Sequence, residues 1–269
     1  MALAEDRAAE DATTLATVPP GLTGVAAFVA REAGILAGIP VVRETFRQIS
    51  ARVAIEELRA DGEAFAPGDT ILVARGPVQA LLQGERTALN FLQRLSGIAT
   101  LARAFVDAVE GTGAVILDTR KTTPGLRDLE KYAVRCGGAT NHRRDLATMA
   151  MIKDNHREAL ARAGRSLADG VAAIRRRTPG IPVEIEVDSL DELEAALEGA
   201  PEWVLLDNMS IDQLREAVSR NAGRARLEAS GGIRLENARA IALTGVDAMS
   251  VGALTHSARA LDIGLDLTF

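Results

Sequence analysis

From Gly113 onward, short apolar runs alternate with helical segments, and this recurrence constrains the fold more than any other feature of the chain. The runs occupy residues 114–117, 149–152, 183–187, 203–206, 226–229 and 248–251. Ser189-Leu190-Asp191-Glu192 supplies a helix start between two of them, and Ser210-Ile211-Asp212-Gln213 has the spacing of a capping box. Strands that are apolar on both faces, each followed by a helix, predict a parallel sheet, either open or curled into a barrel.

The residues that end the strands favour the barrel. Asp118, Lys153, Asp188 (with Glu186 two positions back), Asp207, Ser230 and Gly252 follow the apolar runs. Polar groups converging from the carboxyl ends of many strands are how a βα barrel builds its working face. An open doubly wound sheet gathers its ligand contacts at one crevice instead, and no Gly-x-Gly-x-x-Gly turn follows a first strand here.

The preceding segment has a different texture. Residues 25–31 and 70–75 read as strands, 41–49 as a short helix, and Ala66-Pro67-Gly68-Asp69 as a turn. Over 83–109, Leu89, Leu92, Leu95, Ile98, Leu101 and Phe105 keep a helical period, with Gly97 expected to divide two helices. The expected organisation is an N-terminal mixed α/β domain over 1–96 and an incomplete, open βα barrel of parallel strands over 97–257. A tail from about 258 to 269 is expected to pack back on the first domain.

Charge narrows the ligand. The chain carries net charge −6, yet residues 86–153 hold eleven basic against six acidic groups. A basic island in an acidic protein suits a compact anion rather than nucleic acid. Within that island lie all three lysines, Lys121, Lys131 and Lys153, in a chain with 28 arginines. Lysine is a compact point charge and arginine a wide planar fork, so a lysine kept against this bias marks a tight site. The lone Cys136, in a run of small residues, reads as a buried inert thiol, and no disulfide can form within the chain. The acidic N-terminus lacks a signal-peptide core and no apolar run approaches a membrane span, which predicts a cytoplasmic protein.

Three clusters carry the chemistry. The cationic one comprises Arg86, Arg120, Lys121, His142, Arg143 and Lys153, and paired Arg forks suit carboxylates. The acidic one lies on Val183-Glu184-Ile185-Glu186-Val187-Asp188, whose alternation turns the three acids to one side, with Asp207 at equal depth one unit later. Crowded carboxylates need a cationic partner, and oxygen-only donors suit Mg²⁺. The third consists of the turns Ser230-Gly231-Gly232 and Ser250-Val251-Gly252-Ala253, where exposed backbone N–H groups suit phosphate.

Several of these stretches resemble a known family. Glu85-Arg86-Thr87-Ala88-Leu89-Asn90-Phe91-Leu92, Asp118-Thr119-Arg120-Lys121-Thr122-Thr123-Pro124-Gly125-Leu126-Arg127, Thr140-Asn141-His142-Arg143 and Ile152-Lys153-Asp154-Asn155-His156 are similar to motifs of the quinolinate phosphoribosyltransferases. These are the carboxylating nicotinate-nucleotide pyrophosphorylases, type II phosphoribosyltransferases. Leu206-Asp207-Asn208-Met209 and Ser230-Gly231-Gly232-Ile233 extend the likeness over nearly the whole chain. The resemblance implies transfer of phosphoribosyl from phosphoribosyl pyrophosphate to quinolinate with decarboxylation, on the de novo route to NAD. It implies a homodimer in which Arg86 reaches the neighbouring subunit's site, while Arg120, Lys121, His142, Arg143 and Lys153 surround the pyridine dicarboxylate. It further implies that Glu186 and Asp207 serve the ribose and Mg²⁺ with Asp154 as a third metal residue, and that Lys121 takes part in catalysis. Ser230, Gly231, Gly232, Gly252 and His256 are then expected at the phosphoribosyl pyrophosphate.

The chain departs from the family pattern at Gly137-Gly138-Ala139, where a third glycine is common, at Arg259, where proline is frequent, and at 146–150, which lacks the usual apolar series. It also starts late, which predicts a shortened first helix. Two rival functions remain open at this point. One is a phosphoribosyltransferase for another ring acid, since cations alone do not count carboxylates. The other is a lysine Schiff-base lyase on Lys153 or Lys121, although such a lysine needs a more apolar pocket.

Overall fold

The computed structural model describes residues 1–269, which divide into two compact units. The first comprises Met1–Arg103, Thr123–Gly138 and Ser257–Phe269; the second comprises Ala104–Thr122 and Ala139–His256.

In the first unit the early strands are β1 (Thr23–Ala30), β2 (Gly34–Ile35), β3 (Ala54–Glu57), β4 (Ala64–Phe65) and β5 (Thr70–Pro77). The C-terminal strand β12 (Ile263–Thr268) pairs antiparallel with β1, from Val25 opposite Thr268 to Ala30 opposite Ile263. The resulting antiparallel sheet has the order β12-β1-β5-β3. The tail therefore does return to the N-terminal sheet. Alternation in β1 buries Phe28 against Phe46 of the helix Ile39–Ile49, ring edge to ring face at 6.2 Å. Leu72, Leu81, Leu89, Leu92 and Leu261 complete this core.

The long helix Val78–Ala108 runs unbroken through Gly97, contrary to the expected division. Gly97 serves a close approach instead: a Cβ there would lie 1.8 Å from the carbonyl oxygen of Arg259. Helix propensity alone would favour alanine by about 1 kcal/mol. Forcing backbone apart at a packed contact costs about 3 kcal/mol, so the clash outweighs the propensity. Gly97→Ala is accordingly expected to lower the denaturation midpoint, and an unchanged or raised midpoint would contradict this packing.

Buried Glu130 organises the segment after the threonine–proline turn. It accepts from Arg94 Nη2 at 2.9 Å, from the Thr123 backbone N–H at 3.0 Å and from Thr123 Oγ1 at 2.8 Å.

The second unit contains the six expected strands: β6 (Val115–Leu117), β7 (Ala150–Ile152), β8 (Val183–Val187), β9 (Trp203–Asp207), β10 (Arg226–Ser230) and β11 (Ala248–Ser250). Ladders join them in the order β6-β11-β10-β9-β8-β7; the ladders within the sheet are parallel, as both-faced burial requires. No ladder joins β6 to β7, so the barrel is open on that side. Ser189 and Ser210 cap their helices as expected, accepting from Glu192 N–H and Gln213 N–H. No helix is long and apolar enough to cross a membrane.

Candidate active site at the carboxyl ends of the barrel strands

All six strands deliver residues to one cavity of about 330 Å³ at their carboxyl ends. Asp118 after β6, Met151 of β7, Glu186 of β8, Leu205 of β9, Glu228 and Ser230 of β10 and Ser250 of β11 line it. Strands in a flat sheet would not converge on one cavity. A larger cleft of about 560 Å³ lies near Arg224, Arg226 and Asp247 toward the amino ends, but no lysine lines it.

Cations dominate one wall. Arg120, Lys121, His142, Arg143 and Lys153 all border the cavity, which gathers the expected set apart from Arg86. Arg86 lies exposed on the long helix Val78–Ala108, in the first unit. The guanidinium of Arg143 is half-buried, donating to the Met149 carbonyl at 3.3 Å and approaching Met151 Sδ at 3.4 Å. Burial and then the neighbouring positive charge of Arg120 weaken its hold on its proton. The carboxylates of Glu184, Glu186 and Glu228 act in the opposite sense, and the excess of cations along this wall suits an anionic ligand.

The acidic strand β8 is resolved residue by residue. Glu184 is fully buried, Glu186 forms an ion pair with Lys153, and Asp188 lies beyond the strand end, 3.5 Å from Arg157. Of the three acids on this strand, only Glu184 and Glu186 face the barrel interior, and each lies against a cation or an imidazole. Glu184 shares His142 with Glu228, whose Oε2 atoms lie 3.2 and 3.0 Å from His142 Nε2. Burial holds the Glu184 carboxyl above the ordinary carboxylate range; His142 opposes this and Glu228 adds to it. For His142 burial opposes charge, but the two carboxylates outweigh it and raise the proton affinity of the ring.

Glu228 was missed in the sequence. Its signal was parity: it lies two residues before Ser230 on the same strand, hence on the same face. The donor atoms of His142, Glu184 and Glu228 lie within 4.8 Å of one another, close enough for a metal ion. The Nε2 atom of His142 is within ion-pair distance of both acids, although none of the four carboxylate oxygens makes a well-directed hydrogen bond.

At the mouth, Asp207 stands in register with Ser230. Asn208 closes the turn, donating Nδ2 to Asp207 Oδ2 at 2.8 Å and its backbone N–H to the Ser230 carbonyl at 2.9 Å. Gly231 has φ +90°, and a Cβ there would meet Asn208 Oδ1 at 2.1 Å, so only glycine fits. Gly252 is required for space rather than dihedral freedom: a Cβ would meet Lys121 Cδ at 3.0 Å and His256 Nε2 at 3.1 Å. Thr255 Oγ1 fastens the Lys121 carbonyl at 2.7 Å. Lys121, Gly252 and His256 thus form one cluster. The helix after Gly252 spans only Ala253–His256, so the bare backbone rather than a helix dipole is what this turn offers.

Asp154 differs from the other metal candidates. It is exposed at the start of the helix Asp154–Arg162 and accepts from the Asn155 N–H at 2.7 Å; like Asp207 it is not among the residues lining the cavity. His156 Nδ1 accepts from the Lys153 backbone N–H at 3.0 Å and so supports the start of this helix.

Comparison with known proteins agrees with this geometry. The family models for the N-terminal and C-terminal domains of quinolinate phosphoribosyl transferase match residues 11–96 and 98–266. The nicotinate-nucleotide pyrophosphorylase [carboxylating] of Mycobacterium leprae is 48% identical over 274 residues, spanning 99% of this chain and 94% of that protein. The probable enzyme of the same name from Bacillus subtilis is 41% identical over 243 residues, spanning 90% and 83%. Among solved structures, NadC from Streptococcus pyogenes superposes with a TM-score of 0.94 at 40% identity, covering 99% of this chain and 94% of that one. The chain therefore belongs to the quinolinate phosphoribosyltransferase family.

Proposed function

We propose that this protein transfers the phosphoribosyl group of phosphoribosyl pyrophosphate to quinolinate, releasing pyrophosphate and carbon dioxide and leaving nicotinate mononucleotide for NAD synthesis. The observation that carries this reading is the convergence of Arg120, Lys121, Arg143 and Lys153 on one cavity. That pocket suits a compact polyanion. Family membership supplies the reaction, and the adjoining glycine turns suit its second, phosphorylated substrate.

Cleavage at the anomeric carbon builds positive charge on the ribose, as in glycoside hydrolysis. Glu186 and Asp207, at the ends of adjacent strands, are placed to stabilise that charge. The pyridine nitrogen is itself the nucleophile, so the chain mainly orients the ring. After transfer the ring nitrogen is cationic; as the bond to the adjacent carboxylate breaks and carbon dioxide leaves, it stabilises the electron pair left on the ring carbon, which then takes up a proton from water. The other carboxylate is retained by the Arg forks. The Lys153–Glu186 pair argues against a Schiff-base role for Lys153, whose amine is held as a charged partner.

The oxygen donors of Glu186 and Asp207 fit Mg²⁺, and these two residues would hold it. When bound, magnesium balances the charge of the departing pyrophosphate. Asp154 is the weaker member of the proposed metal set because it is exposed at a helix start rather than placed at a strand end. A cytoplasmic homodimer completes the proposal, with exposed Arg86 serving the partner's site. Mixing Arg86→Ala with Lys121→Arg protein should then restore part of the activity that each lacks alone; no recovery would place Arg86 outside a shared site.

The direct test is incubation of purified protein with quinolinate, phosphoribosyl pyrophosphate and Mg²⁺. Nicotinate mononucleotide and carbon dioxide should appear in equal amounts. Product from nicotinate without carbon dioxide would indicate the ring-monoacid transferase instead.

A further inference from the structure

We infer that His142 is a positioning residue rather than a ligand of the substrate: with Glu184 and Glu228 it forms a buried pillar that aims the Arg143 fork into the cavity. The inference rests on the reading of the cavity as a diacid site. Both ring nitrogens of His142 face protein atoms. Nδ1 meets the Arg143 backbone N–H at 2.7 Å, and Nε2 lies 3.0 Å from Glu228 and 3.2 Å from Glu184. Neither nitrogen is left to meet a substrate carboxylate. The His142 side chain is 7% exposed, as expected of a support and not of a contact surface.

The loop that carries Arg143 is fastened from below at three points. Thr140 bridges to Leu117, its N–H donating to the Ile116 carbonyl at 2.9 Å. Buried Asp118 accepts from Asn141 Nδ2 at 2.7 Å and from the His142 N–H at 2.8 Å. The imidazole is the last of these anchors before Arg143. A bidentate fork holds a carboxylate only over a narrow range of angles, so a small rotation of the Arg143 backbone costs affinity. Glu228 is 1% exposed and stands beside the ring in the cavity wall. Its buried carboxylate, 3.0 Å from the ring Nε2, gains a purpose in fixing the ring.

The test measures quinolinate binding by calorimetry, alongside both KM values, in the full-length protein. Glu228→Ala should weaken quinolinate binding about tenfold while the KM for phosphoribosyl pyrophosphate stays within about twofold. Glu228→Gln, which keeps an acceptor and the volume, should recover to within about threefold of wild type. In an Arg143→Lys background, His142→Ala and Glu228→Ala should add little further loss, because no fork remains to be aimed. Full additivity of His142→Ala with Arg143→Lys would overturn the inference, since His142 would then contact the substrate independently. Equal loss for both substrates in Glu228→Ala, with no recovery in Glu228→Gln, would also overturn it by reducing Glu228 to general stability. Wild-type turnover separately tests the function: wild-type binding without turnover would remove the function and leave the coupling to decide the inference. Absence of binding in the wild type would overturn both.

Discussion

Lys121→Arg should lower kcat/KM about a hundredfold, a loss of about 2.7 kcal/mol in transition-state stabilisation, although the positive charge is retained. The reason is room. The Lys121 stem passes a glycine chosen for its lack of a side chain: a Cβ on Gly252 would come within 3.0 Å of Lys121 Cδ, with His256 on the other side. Thr255 holds the Lys121 carbonyl, so the backbone cannot swing to accommodate a wider head. A guanidinium is planar and needs a slot, whereas an ammonium needs only a point. Folding should be unaffected because the side chain is exposed. Steady-state kinetics beside a thermal melt checks both halves. Near-normal turnover would show that charge alone matters there, and the scarcity of lysine would lose its meaning.

The sequence is informative here for a physical reason. A parallel strand buried on both faces must be an apolar run, and the residue at its carboxyl end must be polar if it reaches the mouth. Strands β6 to β11 and their end residues could therefore be read directly. Glu184 and Glu186 could be assigned to the interior from parity alone. What parity could not give was their partners. Glu186 takes Lys153 and Glu184 takes His142, pairings that depend on how adjacent strands and loops meet. Glu228 was hidden because a single acid in Arg226-Leu227-Glu228-Ala229-Ser230 resembles any solvent-facing residue. Gly97 misled for a related reason. Within a helix a glycine signals weakness, and only the return of the C-terminal segment past it shows that the missing side chain is the point.

Asp207→Asn should lower kcat by about 10² to 10³, about 2.7–4 kcal/mol, and leave the quinolinate KM within about threefold. The substitution is nearly isosteric, and the contact of Asn208 Nδ2 with Asp207 Oδ2 can persist through the remaining amide oxygen, so the β9 turn should keep its shape. What disappears is one negative charge at the strand end next to Glu186. In the ground state the ribose ring is neutral and that charge has little to act on. As the bond to pyrophosphate breaks, positive charge grows on the ring and the carboxylate acquires a partner. An interaction that strengthens only during the reaction appears in kcat, whereas one that holds the diacid appears in its KM. The cationic wall already supplies the second kind, through Arg120, Arg143 and the lysines. Equal losses in kcat and in quinolinate affinity would mean that Asp207 supports the diacid pocket, and the division of labour between the acidic and basic walls would have to be abandoned.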